Sequence, residues 1–87
     1  MSETAAGRLP EWLTADRVLD VSGSLCPIPV IEAGKALKEM RGDQVLEVIA
    51  TDPLAELDLA VMCEHLGHGL IASANEGARI RVQIRVV

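Results

Sequence analysis

Two cysteines, two histidines and a pair of closely spaced prolines are the residues of this 87-residue sequence that invite chemistry first. The sharpest arrangement is Leu25-Cys26-Pro27-Ile28-Pro29. Proline is tolerated in the first turn of a helix, where its missing N–H costs nothing, and not deeper inside. The spacing therefore predicts a helix starting at Pro27, with Cys26 at its cap. A thiol there faces unpaired N–H groups and the positive end of the helix dipole, which favour the nucleophilic thiolate. Gly23, three residues earlier, lets the backbone turn tightly beneath the thiol, while Pro27 and Pro29 stiffen the approach and hold the sulfur outward. A blander alternative stays open: a half-buried cap residue, a role that Ser, Thr, Asp or Asn performs better because a thiol is a poor acceptor.

The other reactive types read more quietly. Cys63 falls on the apolar stripe of a second predicted helix, where an inert buried thiol is common, against a role as a resolving thiol or second carrier. Cys63, His65 and His68 do not have the spacing of a closed zinc site, so no metal is expected. His68 lies just past the helix end as a capping or surface residue, one that could approach Cys26 if both helix-flanking loops open on one edge. Lys35 and Lys38 lie on the outer face of the first helix, where a solvated face and a docking face fit equally well. Arg79, Arg81 and Arg85 form a basic row that invites RNA, but an acidic chain with no aromatic platform favours a solvated or protein-docking face. Ser/His/Asp systems, glycine-rich phosphate loops and paired catalytic carboxylates are missing from the pattern. Cys26 thus reads as a covalent handle rather than a hydrolase nucleophile.

The elements that must position Cys26 follow from periodicity. Residues 17–21 read as a short strand ended by Ser22-Gly23-Ser24. Val30, Ala33, Gly34, Leu37 and Met40 recur at helical spacing from Pro27 to Met40, and Gly42 is the expected stop. Gln44 to Ala50 is a buried strand, and strand–helix–strand at this length implies a right-handed parallel crossover. Thr51-Asp52-Pro53 repeats the helix-start logic, with an acceptor at the cap and proline behind it. The second helix carries Ala55, Leu59, Met62, Cys63 and Leu66 inward and closes at Gly67-His68-Gly69. A weaker strand over 70–75 and a clear one over 78–87 complete the chain, the last alternating Ile80, Val82, Ile84 and Val86 with the wet-face residues Arg79, Arg81, Gln83 and Arg85. The fold class is α/β (α+β): a two-layer sandwich in the order β-α-β-α-β-β, with a four-stranded mixed sheet and both helices on one face.

Composition sets the surroundings. The chain is 49% apolar with Trp12 as its single aromatic residue, so the core is aliphatic. A net charge of −5 argues against nucleic acid and suggests a basic protein partner. Two distant cysteines indicate a reducing, cytoplasmic setting, and nothing resembles a signal peptide or a membrane span. Residues 1–16 read as a flexible N-terminal extension, with a possible helical turn at 10–13 laying Trp12 on the body, and 17–87 as the domain.

Leu19-Asp20, Gly23, Cys26-Pro27-Ile28-Pro29-Val30, the Lys35/Leu37 helix, Thr51-Asp52-Pro53, Cys63 and Gly67-His68 together resemble the TusA/SirA sulfur-carrier family, from Arg17 to Val87. C-P-x-P alone is weak; followed at this distance by T-D-P and G-H it is specific. The resemblance implies the same sandwich and a cysteine persulfide on Cys26, with no cofactor beyond that covalent sulfur. It implies a cysteine desulfurase or rhodanese-like donor and an acceptor of the DsrE/TusBCD type, feeding tRNA thiolation, molybdenum cofactor assembly or sulfur oxidation. It also implies that Asp52 and nearby exposed residues contribute to docking. Leu25 stands where many relatives carry a basic residue and Ser22 where an arginine precedes the glycine, so local positive charge is reduced. The competing readings are a non-catalytic binding or regulatory module and a thiol redox protein using Cys26 and Cys63.

Overall fold

Strand-forming and helix-forming stretches alternate along the chain, and a computed structural model describes how residues 14–87 assemble them. The order is β1 (Arg17–Asp20), α1 (Ile28–Lys38), β2 (Val45–Ala50), α2 (Ala55–Leu66), β3 (Gly69–Glu76) and β4 (Arg79–Arg85). The expected turn around Trp12 lies outside the described residues. Main-chain pairing begins one residue before β1: Asp16 donates its N–H to the Val45 carbonyl over 2.8 Å and accepts the Val45 N–H on Oδ2 over 2.7 Å.

The four strands form one mixed sheet in the order β1-β2-β4-β3. β1 and β2 are parallel, as a crossover through α1 demands, while β4 is antiparallel to both β2 and β3. It follows that β3 runs with β2, and that α2 carries the chain across a gap which β4 later fills. Both helices therefore run against β2, and their N-termini meet at the end of the sheet where β1 and β2 finish.

One layer of aliphatic side chains holds the helices to the sheet. Leu46, Val48 and Ala50 of β2 and Ile80, Val82 and Ile84 of β4 meet Ala33, Ala36 and Leu37 of α1 and Ala55, Leu59 and Cys63 of α2. Burying such side chains contributes about 1.5–3 kcal/mol each for the larger ones. α1 turns Pro29, Ala33, Ala36 and Leu37 fully inward. Gly34 instead faces its neighbour helix, where an added Cβ would lie 3.8 Å from Met62 Sδ.

Several expectations are corrected. α1 starts at Ile28 with Pro27 at its cap, so Cys26 stands one residue before the cap. Gly42 does not take the left-handed conformation; Asp43 does, at φ 70°, its short polar side chain tolerating that region. α2 begins at Ala55, later than Asp52-Pro53 suggested, and Leu66, expected to face inward, is 53% exposed. Gln83 is 1% exposed rather than wet, since β4 is a central strand and Gln83 Nε2 donates to Glu47 Oε1 over 2.9 Å from the neighbouring strand.

Candidate functional site

The β1–α1 loop is short, and its sharpest bend is at Gly23, whose φ of +85° would strain any residue with a Cβ. Two cross-links from the start of the next strand–helix connection fix it. Gly23 donates its N–H to Thr51 Oγ1 over 2.7 Å, and Cys26 donates its N–H to Asp52 Oδ2 over 2.6 Å. Asp52 Oδ1 meanwhile accepts the Leu54 N–H over 3.0 Å and so shapes the turn into α2. The T-D-P motif is thus the clamp that holds the cysteine loop. At 5% exposure, with both carboxylate oxygens on main-chain N–H groups, Asp52 sits within the fold and has little surface to offer a partner.

Cys26 itself is exposed, whereas Cys63 is buried at 2% exposure. The Cys26–Pro27 peptide is cis. The helix N-terminus offers the sulfur less than expected. Pro27 and Pro29 have no N–H, and the Ile28 N–H is used on the Leu25 carbonyl over 2.9 Å. The charges nearby are carboxylates: a hydrogen bond to the Asp58 side chain pushes the Cys26 thiol above its ordinary range, and the negative charges of Asp58 and Asp52 add to the effect. The free thiol is therefore held protonated at neutral pH, contrary to the thiolate that the helix cap suggested.

Asp58 is the site residue that sequence reasoning missed. It lies in the first turn of α2, where a carboxylate suits the helix dipole and needs no other explanation. Only the side-by-side packing of α1 and α2 brings it to the thiol. The two helix starts enclose a shallow groove of about 340 Å³, walled by Cys26, Pro27 and Val30 on one side and Leu57, Asp58, Val61 and Met62 on the other. Around it stand exposed apolar side chains: Leu25 at 69%, Leu57 at 64% and Leu54 at 56%.

The remaining expected residues lie elsewhere. Lys35 is two turns along α1, 3.4 Å from Glu32, and Lys38 is exposed in the last turn, complementing the helix dipole. His68 is at the opposite end of α2, ~18 Å from its start by helix rise, where its Nδ1 accepts the Val87 N–H over 3.2 Å. That placement separates it from Cys26. Of the arginine row, Arg81 pairs with Glu76 at 3.1 Å and Glu47 at 3.6 Å, which compensates its charge. Among the described residues, no group of three His, Cys, Asp or Glu side chains converges as a metal site, and no helix is long and apolar enough to cross a membrane.

With this geometry in place, comparison with known proteins is informative. The family described as Sulfurtransferase TusA matches residues 17–86. The Sulfur carrier protein TusA of Allochromatium vinosum is 40% identical over 70 residues, covering 80% of this chain and 92% of that protein. Its counterpart in Pseudomonas syringae pv. tomato is 39% identical over 75 residues, covering 86% and 89%. The crystal structure of a SirA-like protein from Desulfitobacterium hafniense superposes with a TM-score of 0.72 at 31% identity, over 79% of this chain and 95% of that one. Sequence and fold agree over the whole span from β1 to β4, and on that agreement the chain belongs to the TusA family of sulfur carrier proteins.

Proposed function

We propose that Cys26 is the carrier residue, taking up sulfane sulfur as a persulfide from a cysteine desulfurase or rhodanese-like donor and relaying it to an acceptor protein of the DsrE/TusBCD type. The observation that carries this reading is the contrast between the two thiols. Cys26 is exposed on a loop clamped by Thr51 and Asp52, while Cys63 is packed in the core, where burial pushes its thiol up to about 11. A two-cysteine redox exchange needs a second accessible thiol, which Cys63 does not offer.

The chemistry is a displacement at sulfur. Cys26 Sγ, as a thiolate, attacks the terminal sulfur of the donor's cysteine persulfide. A new S–S bond forms on Cys26 as the donor's S–S bond breaks, and the donor cysteine leaves as a thiolate that is free to take up a proton. The transferred sulfur keeps its oxidation state, so no oxidant or reductant enters. Onward transfer repeats the step, with the acceptor's thiolate attacking the Cys26 persulfide.

The groove beside Cys26 is open and mostly apolar, so specificity resides in surface complementarity with each partner rather than in a small-molecule pocket. Lys35, Lys38 and His68 lie away from the thiol and belong to the wider docking surface in this reading. A reducing cytoplasmic setting keeps Cys26 free for loading. The onward route is tRNA thiolation, molybdenum cofactor assembly or sulfur oxidation. Incubation with a cysteine desulfurase and cysteine carrying radiolabelled sulfur tests the donor step: label should move onto the chain and leave on reduction. Failure of desulfurases and rhodaneses alike to transfer label would argue for a binding module instead.

A further inference from the structure

A carrier thiol must react with chosen partners and resist everything else, yet this one lies in the open. What restrains it is in the groove. Among the described residues lining that groove, Asp58 alone is charged; it stands on the wall of the groove shared with Cys26, and its carboxylate pushes the thiol above its ordinary range. Asp52, the other carboxylate acting on the sulfur, is turned inward at 5% exposure with both oxygens already on main-chain N–H groups, so it offers little to an incoming partner. Asp58 is partly buried and flanked on the same helix by Leu57 and Val61, which are 64% and 46% exposed. Position 25, next to the thiol, holds Leu rather than a cation.

We propose that Asp58 is a positioning residue for the carrier thiol: it holds the Cys26 S–H in the free protein and receives a cationic side chain of the docking partner, which frees the thiolate only in the complex. The proposal rests on Cys26 being the carrier. Its logic is charge complementarity. A lysine or arginine set against Asp58 withdraws the acceptor from the thiol and places positive charge beside the sulfur, and both changes favour the thiolate. The partner surface it fits is an apolar patch, to cover Leu25, Leu57 and Val61, with a cation at its centre. A net charge of −5 on this chain is consistent with such a partner.

The test compares wild type, Asp58→Asn and Asp58→Glu in two assays. One is alkylation of Cys26 by iodoacetamide across pH, with peptide mapping to separate Cys63. The other is sulfur loading by a cysteine desulfurase as a function of chain concentration. Asn is a weaker partner for the thiol and carries no charge, so Asp58→Asn should speed alkylation at neutral pH by about twofold or more, the gain being tempered because nucleophilicity falls as the thiol becomes more acidic. The same variant should need about threefold or more chain for half-maximal loading, because the partner's cation has lost its counterpart. Asp58→Glu should remain near wild type in both. Opposite changes in the two assays at an unchanged urea-unfolding midpoint, with Asp58→Glu near wild type in both, distinguish this role from structural damage, which lowers the midpoint. Unchanged or slower alkylation in a folded Asp58→Asn protein overturns the restraint on the thiol, and undiminished loading overturns the docking role. If wild type itself takes no sulfur, the carrier reading with that donor has failed, and the alkylation profile still decides whether Asp58 holds the thiol.

Discussion

The Cys26 N–H and the Asp52 carboxylate meet at 2.6 Å, joining two loops that are 26 residues apart in the chain. The same carboxylate organises the turn into α2 through the Leu54 N–H. One buried side chain thus sets both the height of the cysteine loop and the start of the helix that carries Asp58. Position of the thiol and charge around it are coupled through this contact.

Removing that carboxylate should therefore cost stability as well as function. Asp52→Ala strands two N–H groups, and hydrogen bonds to a charged partner contribute about 1.5–3 kcal/mol each, so a loss of about 3–6 kcal/mol is expected. Asp52→Asn keeps one acceptor oxygen and should lose roughly half as much. Urea unfolding of the three proteins gives the ordering; a loss below about 1 kcal/mol in the alanine variant contradicts the clamp.

Gly23 should tolerate substitution according to backbone conformation rather than space. A Cβ there meets nothing within 4 Å, so the penalty comes from φ +85° alone. Gly23→Ala should cost about 1 kcal/mol, and Gly23→Asn less, because asparagine enters the left-handed region more readily. Thermal unfolding that ranks Asn below Ala in stability would count against this account.

Cys63 should matter for packing and not for sulfur. Cys63→Ala leaves a small void in the core and should cost about 1 kcal/mol or more while loading continues. Its titration adds a pH signature. Burial raises the folded-state value to about 11 from the ordinary 9, so the folded protein holds this proton more tightly. The associated stability is complete below pH 9 and is lost as pH rises from 9 through 11, an effect of up to about 2–3 kcal/mol. Denaturation at pH 8 and pH 10.5 should thus show wild type losing more stability than Cys63→Ala; equal losses would contradict a protonated core thiol.

Leu57 should be a docking residue without a folding role. At 64% exposure, its replacement by serine should leave the unfolding midpoint within about 0.5 kcal/mol of wild type. Loading by a protein donor should nonetheless weaken several-fold, since apolar contact at an interface centre dominates its energy. Alkylation by iodoacetamide, which needs no docking, should not change. Equal effects on both reactions would place Leu57 outside the partner surface.

Most of the architecture was legible in the sequence because its signals are local. Alternation in 79–86, broken at the buried Gln83, the helical spacing of Ala33 and Leu37, and the parallel crossover each follow from periodicity and length, and with that exception the structure bears them out. The strand order was not legible: inserting β4 between β2 and β3 is a pairing choice over long sequence separation. The partner of the buried Gln83 follows from that same choice, since pairing with β2 sets Glu47 opposite it. The candidate nucleophile could be read from Cys26-Pro27-Ile28-Pro29, but its electrostatics could not. The prolines that announce the helix also remove the N–H groups that were expected to stabilise a thiolate, and Asp58 arrives from a different helix. A first-turn acid in α2 looks ordinary until α1 is laid beside it.

The central claim is that sulfur rides on Cys26, and intact-protein mass spectrometry after incubation with a cysteine desulfurase and cysteine tests it most directly. Wild type and Cys26→Ser should be measured with and without reductant, serine at this exposed position being compatible with the fold. The account predicts a gain of one or more sulfur atoms on wild type, removed by reductant and absent from Cys26→Ser. Equal loading of the serine variant would contradict it and move the carrier role away from Cys26.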